Sequence, residues 1–196
     1  MCAVFLIDTD SLLGLAYSRV GQSYLKQAQN LRITEEVKEE VCGLKNNPET
    51  RKAALEVENS LKANSNVDFD NPLTQSRVSY NSGGDTKGEQ SIHDYIIFGE
   101  KEVAIVFFFD SDMRNIMGRL NYPPPRFDVV TSVFTYLHSQ LTKQEMREET
   151  AKIANGRNWL TKRNLKDLFI ESGIMTDRSF NYNSMSNFCR RQTPDL

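Results

Sequence analysis

The strongest constraint on the fold is an uninterrupted apolar run over residues 103–109, Val-Ala-Ile-Val-Phe-Phe-Phe. Its seven residues are far fewer than the roughly twenty that a membrane-spanning helix needs. β-Branched and aromatic side chains favour strands, and a strand that is apolar on both sides is normally covered on both faces. The run therefore predicts a central β-strand. Because no apolar run in the sequence is longer than this one, we expect no transmembrane segment.

Two short hairpins supply the strands of the predicted sheet. Residues 95–98, a turn and the strand 103–109 have the pattern of one hairpin. Residues 3–7 form a β-rich run that ends in turn-forming Asp and Ser side chains. Residues 12–18 are then either the return strand of a second hairpin or the start of a helix, and both alternatives remain open. A sheet built from hairpins is mostly antiparallel.

Apolar residues at helical spacing define the rest of the fold. This spacing predicts helices over residues 33–44, 48–61 and 127–146, and shorter ones over residues 113–120, 160–172 and 179–191. Residues 63–92 are rich in Asn, Ser, Asp and Gly and show no sustained period, which predicts a long mobile loop. The predicted fold class is α+β: a small, mostly antiparallel sheet with packed helices over residues 1–150, and a helical C-terminal extension over residues 151–196.

Charge is distributed unevenly along the chain. The formal net charge is −2, but residues 151–196 hold eight Lys and Arg against four Asp and Glu. This basic extension is typical of a segment that binds an acidic membrane surface or nucleic acid, and also of an ordinary solvated helix face. In the nucleic-acid alternative its helices form a helix-turn-helix, and six side chains would meet phosphates: Lys162, Arg163, Lys166, Arg178, Arg190 and Arg191.

The cysteines indicate a reducing compartment. Cys2, Cys42 and Cys189 are odd in number, far apart and without metal-ligand spacing. The apolar N-terminal stretch is too short for a signal peptide and lacks the basic flank that one requires. We therefore expect a cytoplasmic protein with no lipid anchor.

A hydrophobic run followed by Asp-x-Asp occurs twice, at Asp8 and Asp10 and again at Asp110 and Asp112. Carboxylates at strand ends can hold Mg²⁺ for phosphoryl transfer or phosphodiester hydrolysis. Residues 5–10, Phe-Leu-Ile-Asp-Thr-Asp, resemble the first motif of haloacid-dehalogenase-type phosphatases and the opening of PIN-like nucleases. That resemblance implies a Mg²⁺-dependent enzyme that uses these carboxylates. In the alternative they only end strands and cap helices, and no cofactor is needed.

A second resemblance covers about half the chain. The two predicted hairpins, residues 1–18 and 93–110, and the helix that contains residues 134–138 resemble the element order of longin (SNARE-like) domains of vesicle-trafficking proteins. The tail from residue 155 through residue 180 resembles an R-SNARE motif, with Arg157 as its central arginine. The resemblance implies a non-enzymatic module that binds other proteins.

The sequence thus leaves two main classes of function open. The leading prediction is an interaction protein of trafficking or assembly that needs no cofactor and binds its partners through Phe134, Leu137, Arg157, Lys162 and Arg163. The alternative is a Mg²⁺-dependent phosphohydrolase or nuclease, which requires the two Asp-x-Asp turns to meet at one cation. Nucleic-acid binding through the basic extension is the third prediction.

Overall fold

The computed structural model of the chain describes residues 4–74, 87–99, 102–109, 126–129 and 141–196, together with residues 113, 117, 118 and 120. In chain order the elements are β1 (Val4–Ile7), α1 (Thr9–Ala16), α2 (Arg19–Gln27), β2 (Leu31–Arg32), α3 (Glu35–Leu44), α4 (Arg51–Ala63), α5 (Lys87–Phe98), β3 (Val103–Phe108), β4 (Arg126–Val129), α6 (Lys143–Gly156), α7 (Lys162–Lys166) and α8 (Tyr182–Arg190). A π-helical turn, Asp167–Glu171, and a 3-10 turn, Asp177–Ser179, lie between α7 and α8.

The four strands form one parallel sheet in the order β2-β1-β3-β4. The prediction that the apolar run is an inner strand is confirmed, because β3 pairs with β1 on one side and β4 on the other. The predicted mostly antiparallel sheet is wrong. Helices, not tight turns, connect β1 to β2 and β2 to β3, and parallel neighbours require such crossovers.

The predicted hairpin over residues 95–109 is wrong because its first segment is a helix, and of the two alternatives for residues 12–18 the start of a helix is confirmed. Residues 12–16 belong to α1, which Asp8 caps by accepting a hydrogen bond from the Ser11 N–H. α1 is buried from Ser11 to Ala16, as expected of a helix that is apolar all round. Residues 95–98 end α5, whose Ile92 and Tyr95 are buried three residues apart, a helical spacing.

Two further predictions change with the structure. Residues 87–92 of the predicted loop form the first half of α5, while residues 75–86 lie outside the described residues. The predicted helix over residues 127–146 is also wrong at its start, because residues 126–129 are strand β4. α6 begins only at Lys143, after a capping box between Thr142 and Glu145.

Two hydrophobic clusters form the interior. The first includes β1, β3 and helices α1 to α5, and its largest fully buried aromatic side chain is Phe107. The second is built by α6, α7, the π-helical turn and α8 around Phe169. The two clusters meet where α1 packs on α6, because a Cβ on Gly14 would lie 3.4 Å from both Ile153 and Trp159. The division of the chain at residue 150 stays a prediction.

Helix length bears on the membrane question as well. Within the ranges that the structure describes, no helix combines the length and the apolarity needed to cross a membrane.

Candidate functional site

The carboxyl ends of β1 and β3 are the natural place for a site in this topology. The chain adds β2 on one side of β1 and then β3 on the other, so the direction of strand addition reverses at the β1–β3 pair. In open parallel sheets, ligands bind in the crevice beyond the carboxyl ends of the strands at such a switch point. Asp8 follows β1 at this edge, and Phe109 follows β3.

Asp8 is buried at this edge, with only 3% of its surface exposed. Its Oδ1 atom accepts a hydrogen bond of 2.7 Å from the Ser11 N–H, and its Oδ2 atom accepts one of 3.3 Å from the Phe109 N–H. Burial raises the pKa of the carboxyl from 3.8 to about 7; the hydrogen bonds oppose this shift, and the neighbouring Asp10 adds to it. The negative charge of Asp8 is therefore poorly compensated.

The side chain of Ser11 is a second buried polar group beside Asp8. The Ser11 hydroxyl is buried and makes no hydrogen bond of acceptable geometry with any other described residue. It lies near enough to the Asp8 carboxylate to lower the pKa of that group. In the described part of the chain, no lysine or arginine forms an ion pair with Asp8.

Glu40 is a further acidic residue at the same edge. From the middle of α3, its Oε2 atom accepts a hydrogen bond of 2.5 Å from the Thr9 hydroxyl, next to Asp8 in the chain. Its Oε1 atom accepts one of 3.0 Å from the Gly88 N–H in the first turn of α5. A Cβ on Gly88 would lie 2.7 Å from the Glu40 carboxylate, so glycine permits this close approach.

The sequence did not single out Glu40 as a candidate site residue. The signal that could have found it is its position on the α3 surface next to the buried stripe of Val37 and Val41. That signal is weak, since Glu35, Glu36 and Glu39 share the helix, and only tertiary structure singles out Glu40.

The helical extension reaches the same edge through Arg157 and Trp159. Arg157 follows α6, and its Nη2 atom lies 2.5 Å from the Asp10 Oδ1 atom. Its guanidinium lies 5.3 Å from the centroid of the Trp159 ring. Trp159 in turn stacks on Phe109 with ring centroids 3.9 Å apart. An arginine and a stacked aromatic pair therefore border the site of Asp8.

The four predicted metal ligands divide into two groups. Asp8 and Asp10 lie at the carboxyl end of β1, with Asp8 buried and Asp10 paired with Arg157. Asp110 and Asp112 lie outside the described residues, although Asp110 follows Phe109 directly in the sequence. Considering only residues that the structure describes, no group of three or more His, Cys, Asp or Glu side chains could hold a metal ion. Convergence of the two Asp-x-Asp turns stays a prediction.

The predicted protein-binding residues do not assemble into a described surface. Phe134 and Leu137 lie outside the described residues. Lys162 and Arg163 are exposed in the first turn of α7, but Arg157 is largely covered and holds Asp10. The interaction module stays a prediction.

Comparisons with protein-family models, curated proteins and solved structures found no significant match. The comparisons therefore leave the longin resemblance as a prediction, although both hairpins on which it was drawn are wrong.

Proposed function

We propose that the protein is a Mg²⁺- or Mn²⁺-dependent phosphodiesterase that cleaves nucleic acid at the carboxyl ends of β1 and β3. The single observation that carries this proposal is the buried carboxylate of Asp8 at the switch point of a parallel sheet. A buried carboxylate normally has a cationic partner or coordinates a metal. Among the described residues Asp8 has no such cation, and its raised pKa is typical of functional carboxyl groups.

The types of oxygen donor near Asp8 are those that a hard divalent cation prefers. Each Asp8 oxygen accepts one backbone N–H, which leaves lone pairs for a metal. The Ser11 hydroxyl and the Glu40 carboxylate add oxygen donors near the same edge, and oxygen ligands favour Mg²⁺ or Mn²⁺ over softer metals. Asp8 and Glu40 would hold the metal, with Asp110 and Asp112 as the further predicted ligands. When bound, such a metal supplies a polarised phosphoryl oxygen and an activated water.

The remaining residues have structural tasks in this proposal. The Ser11 and Phe109 N–H groups fix the orientation of the Asp8 carboxylate, and Thr9 and Gly88 do the same for Glu40. Fixed ligands preserve the geometry that a metal site needs.

The helical extension favours nucleic acid over a small phosphate ester. Its net charge of +4, from eight basic and four acidic residues, is opposite to that of a phosphodiester strand. Its Arg157 and Trp159 reach the edge of the sheet where Asp8 lies, so a strand bound to the extension would pass the candidate site.

The proposal is tested by cleavage of labelled single- and double-stranded oligonucleotides with EDTA, Mg²⁺ or Mn²⁺. We expect metal-dependent cleavage by the wild type and a loss of at least about a hundredfold in Asp8→Asn and Glu40→Gln, since each removes a charged metal ligand. Glu36→Gln is the matched control, because Glu36 is a carboxylate of the same helix with no assigned contact at the site, and it should cleave as the wild type does. Absence of cleavage with any metal, or full activity in Asp8→Asn, would refute the proposal.

A further inference from the structure

The ion pair between Asp10 and Arg157 lies beside the candidate site. It joins the first turn of α1 to the end of α6, residues 147 positions apart in the chain. Asp10 is two residues from Asp8, so the guanidinium borders the candidate site. The Asp10 side chain is 40% exposed and the Arg157 side chain 15%, which leaves the pair open to an incoming ligand from the side of Asp10.

The protein satisfies only part of the hydrogen-bonding capacity of the Arg157 guanidinium. One nitrogen, Nη2, donates to Asp10, whereas the buried Nε–H has no hydrogen-bond partner among the described residues. An arginine carries five N–H donors in a planar fork that matches the oxygens of a phosphate. A buried donor without a partner is costly, so the protein does not hold this guanidinium by a complete set of hydrogen bonds.

Aromatic contacts hold this guanidinium at a fixed place relative to Asp8. It lies 5.3 Å from the centroid of the Trp159 ring, and that ring stacks on Phe109. The N–H of Phe109 donates to Asp8. A continuous chain of contacts thus runs from Arg157 to the proposed metal ligand, and such rigidity is what substrate positioning requires.

We propose that Arg157 is a substrate-positioning residue, whose guanidinium exchanges Asp10 for a phosphate oxygen of a nucleic-acid strand. Asp10 holds the arginine in place in the free protein and competes with the phosphate. This inference rests on the proposed function, because it names how the same site takes its substrate. Lys162 and Arg163 follow a few residues further along the chain and are exposed.

Binding without catalysis gives the test. A fluorescently labelled single-stranded DNA 12-mer is titrated with protein in EDTA, using the wild type, Arg157→Gln, Asp10→Asn and the double variant. We expect Arg157→Gln to weaken binding about tenfold, as loss of a charge-assisted hydrogen bond does. Asp10→Asn should tighten binding about threefold, because the competing carboxylate is gone. The double variant should bind like Arg157→Gln.

Two controls separate this role from a structural one. Both single variants break the same ion pair, so a purely structural role predicts that they change binding in the same direction, whereas positioning predicts opposite directions. Arg51→Gln removes an exposed arginine from α4 and should leave binding unchanged. The slope of log affinity against log salt should fall by about 0.7 in the two variants that lack Arg157, and in no other variant.

The outcomes also separate this inference from the proposed function. If Arg157→Gln binds DNA like the wild type, or if Asp10→Asn binds no more tightly, the inference is overturned. Metal-dependent cleavage in the wild type would then still support the proposed function. If the two variants change binding in opposite directions but the wild type fails to cleave DNA with any metal tested, Arg157 is a phosphate-binding residue and the proposed function fails.

Discussion

Asp8 and Asp195 are two carboxylates in similar positions with opposite electrostatics. Each accepts a hydrogen bond from a backbone N–H in the first turn of a helix: Asp8 from Ser11 in α1, and Asp195 from Arg19 in α2 at 2.9 Å. Asp195 also pairs with Lys152 at 2.8 Å. Burial would raise the pKa of Asp195, but the hydrogen bonds from Lys152 and the Arg19 N–H outweigh it and hold the pKa below its usual range.

Two carboxylates that link separate helices of this chain, Asp195 and Asp10, are paired with basic side chains. Asp195 fastens the C-terminal segment to α2 and α6, and the chain supplies Lys152 to neutralise it. Asp10 likewise joins α1 to α6 and has Arg157. Asp8 is more buried than either, yet among the described residues no cation pairs with it, and its pKa is raised to about 7. In the proposed function, a divalent cation from solution supplies the partner that Asp8 lacks.

The largest expected effect is the pH dependence of stability that Asp8 causes. Because the pKa of Asp8 is raised from 3.8 in the unfolded chain to about 7 in the fold, the native state holds a proton that the unfolded state releases. The contribution of Asp8 to stability is therefore present below pH 4 and is lost as pH rises to about 7. At about 1.4 kcal/mol per pKa unit, the loss is on the order of 4 kcal/mol in metal-free protein.

Urea unfolding of the wild type and Asp8→Asn at several pH values in EDTA measures this effect. Asparagine is also a good N-cap, so the variant should fold and lack the pH-dependent loss between pH 4 and 7. If the two proteins show parallel pH dependence, Asp8 has an ordinary pKa and the contrast with Asp195 is wrong.

An intermediate effect is expected from Gly88→Ala. The new Cβ would lie 2.7 Å from the Glu40 carboxylate and push it from its contact with Thr9. We expect metal-dependent cleavage to fall about tenfold while stability changes by less than about 1 kcal/mol, since alanine is the better helix former. Gly43→Ala is the control, because a Cβ there would meet no described atom within 4 Å. Equal cleavage by both variants would show that Glu40 has no role at the site.

The smallest effect is expected from Asp195→Asn. Since the pKa of Asp195 is lowered in the fold, its ion pair stabilises the protein above the unfolded pKa and loses this contribution as pH falls through the folded pKa. The side chain is partly exposed, so we expect a loss of about 1 kcal/mol at pH 7 and a smaller loss near pH 3. Chemical unfolding at both pH values measures it. A loss that grows at low pH would contradict the assigned sign.

The sequence predicted local structure better than strand pairing. Apolar residues at helical spacing over residues 33–44 located α3, and the apolar run located β3 as an inner strand. The antiparallel pairing was wrong because the composition of residues 95–98, Tyr-Ile-Ile-Phe, favours a strand. In the structure these residues end α5, in which Ile92 and Tyr95 are buried at helical spacing. Such a segment is too short to show whether its apolar residues recur with the spacing of a strand or of a helix.

The candidate site was predictable only in part. Asp8 was found because an acidic residue after an apolar strand is a local pattern. Glu40 and Arg157 come from distant parts of the chain, and their contacts with Thr9 and Asp10 depend on helix packing that no local pattern encodes. Arg157 was selected from the sequence for protein binding, whereas the structure places it beside Asp10.

The most direct test of the central claim is thermal unfolding of the wild type, Asp8→Asn and Asp195→Asn at pH 7.5 with increasing Mn²⁺. A ligand at about a hundred times its Kd stabilises the native state by about 2.7 kcal/mol, which is several degrees in Tm for a chain of this size. We predict this rise in the wild type and in Asp195→Asn, and no rise in Asp8→Asn. An equal rise in all three proteins, or none in the wild type, would contradict the account.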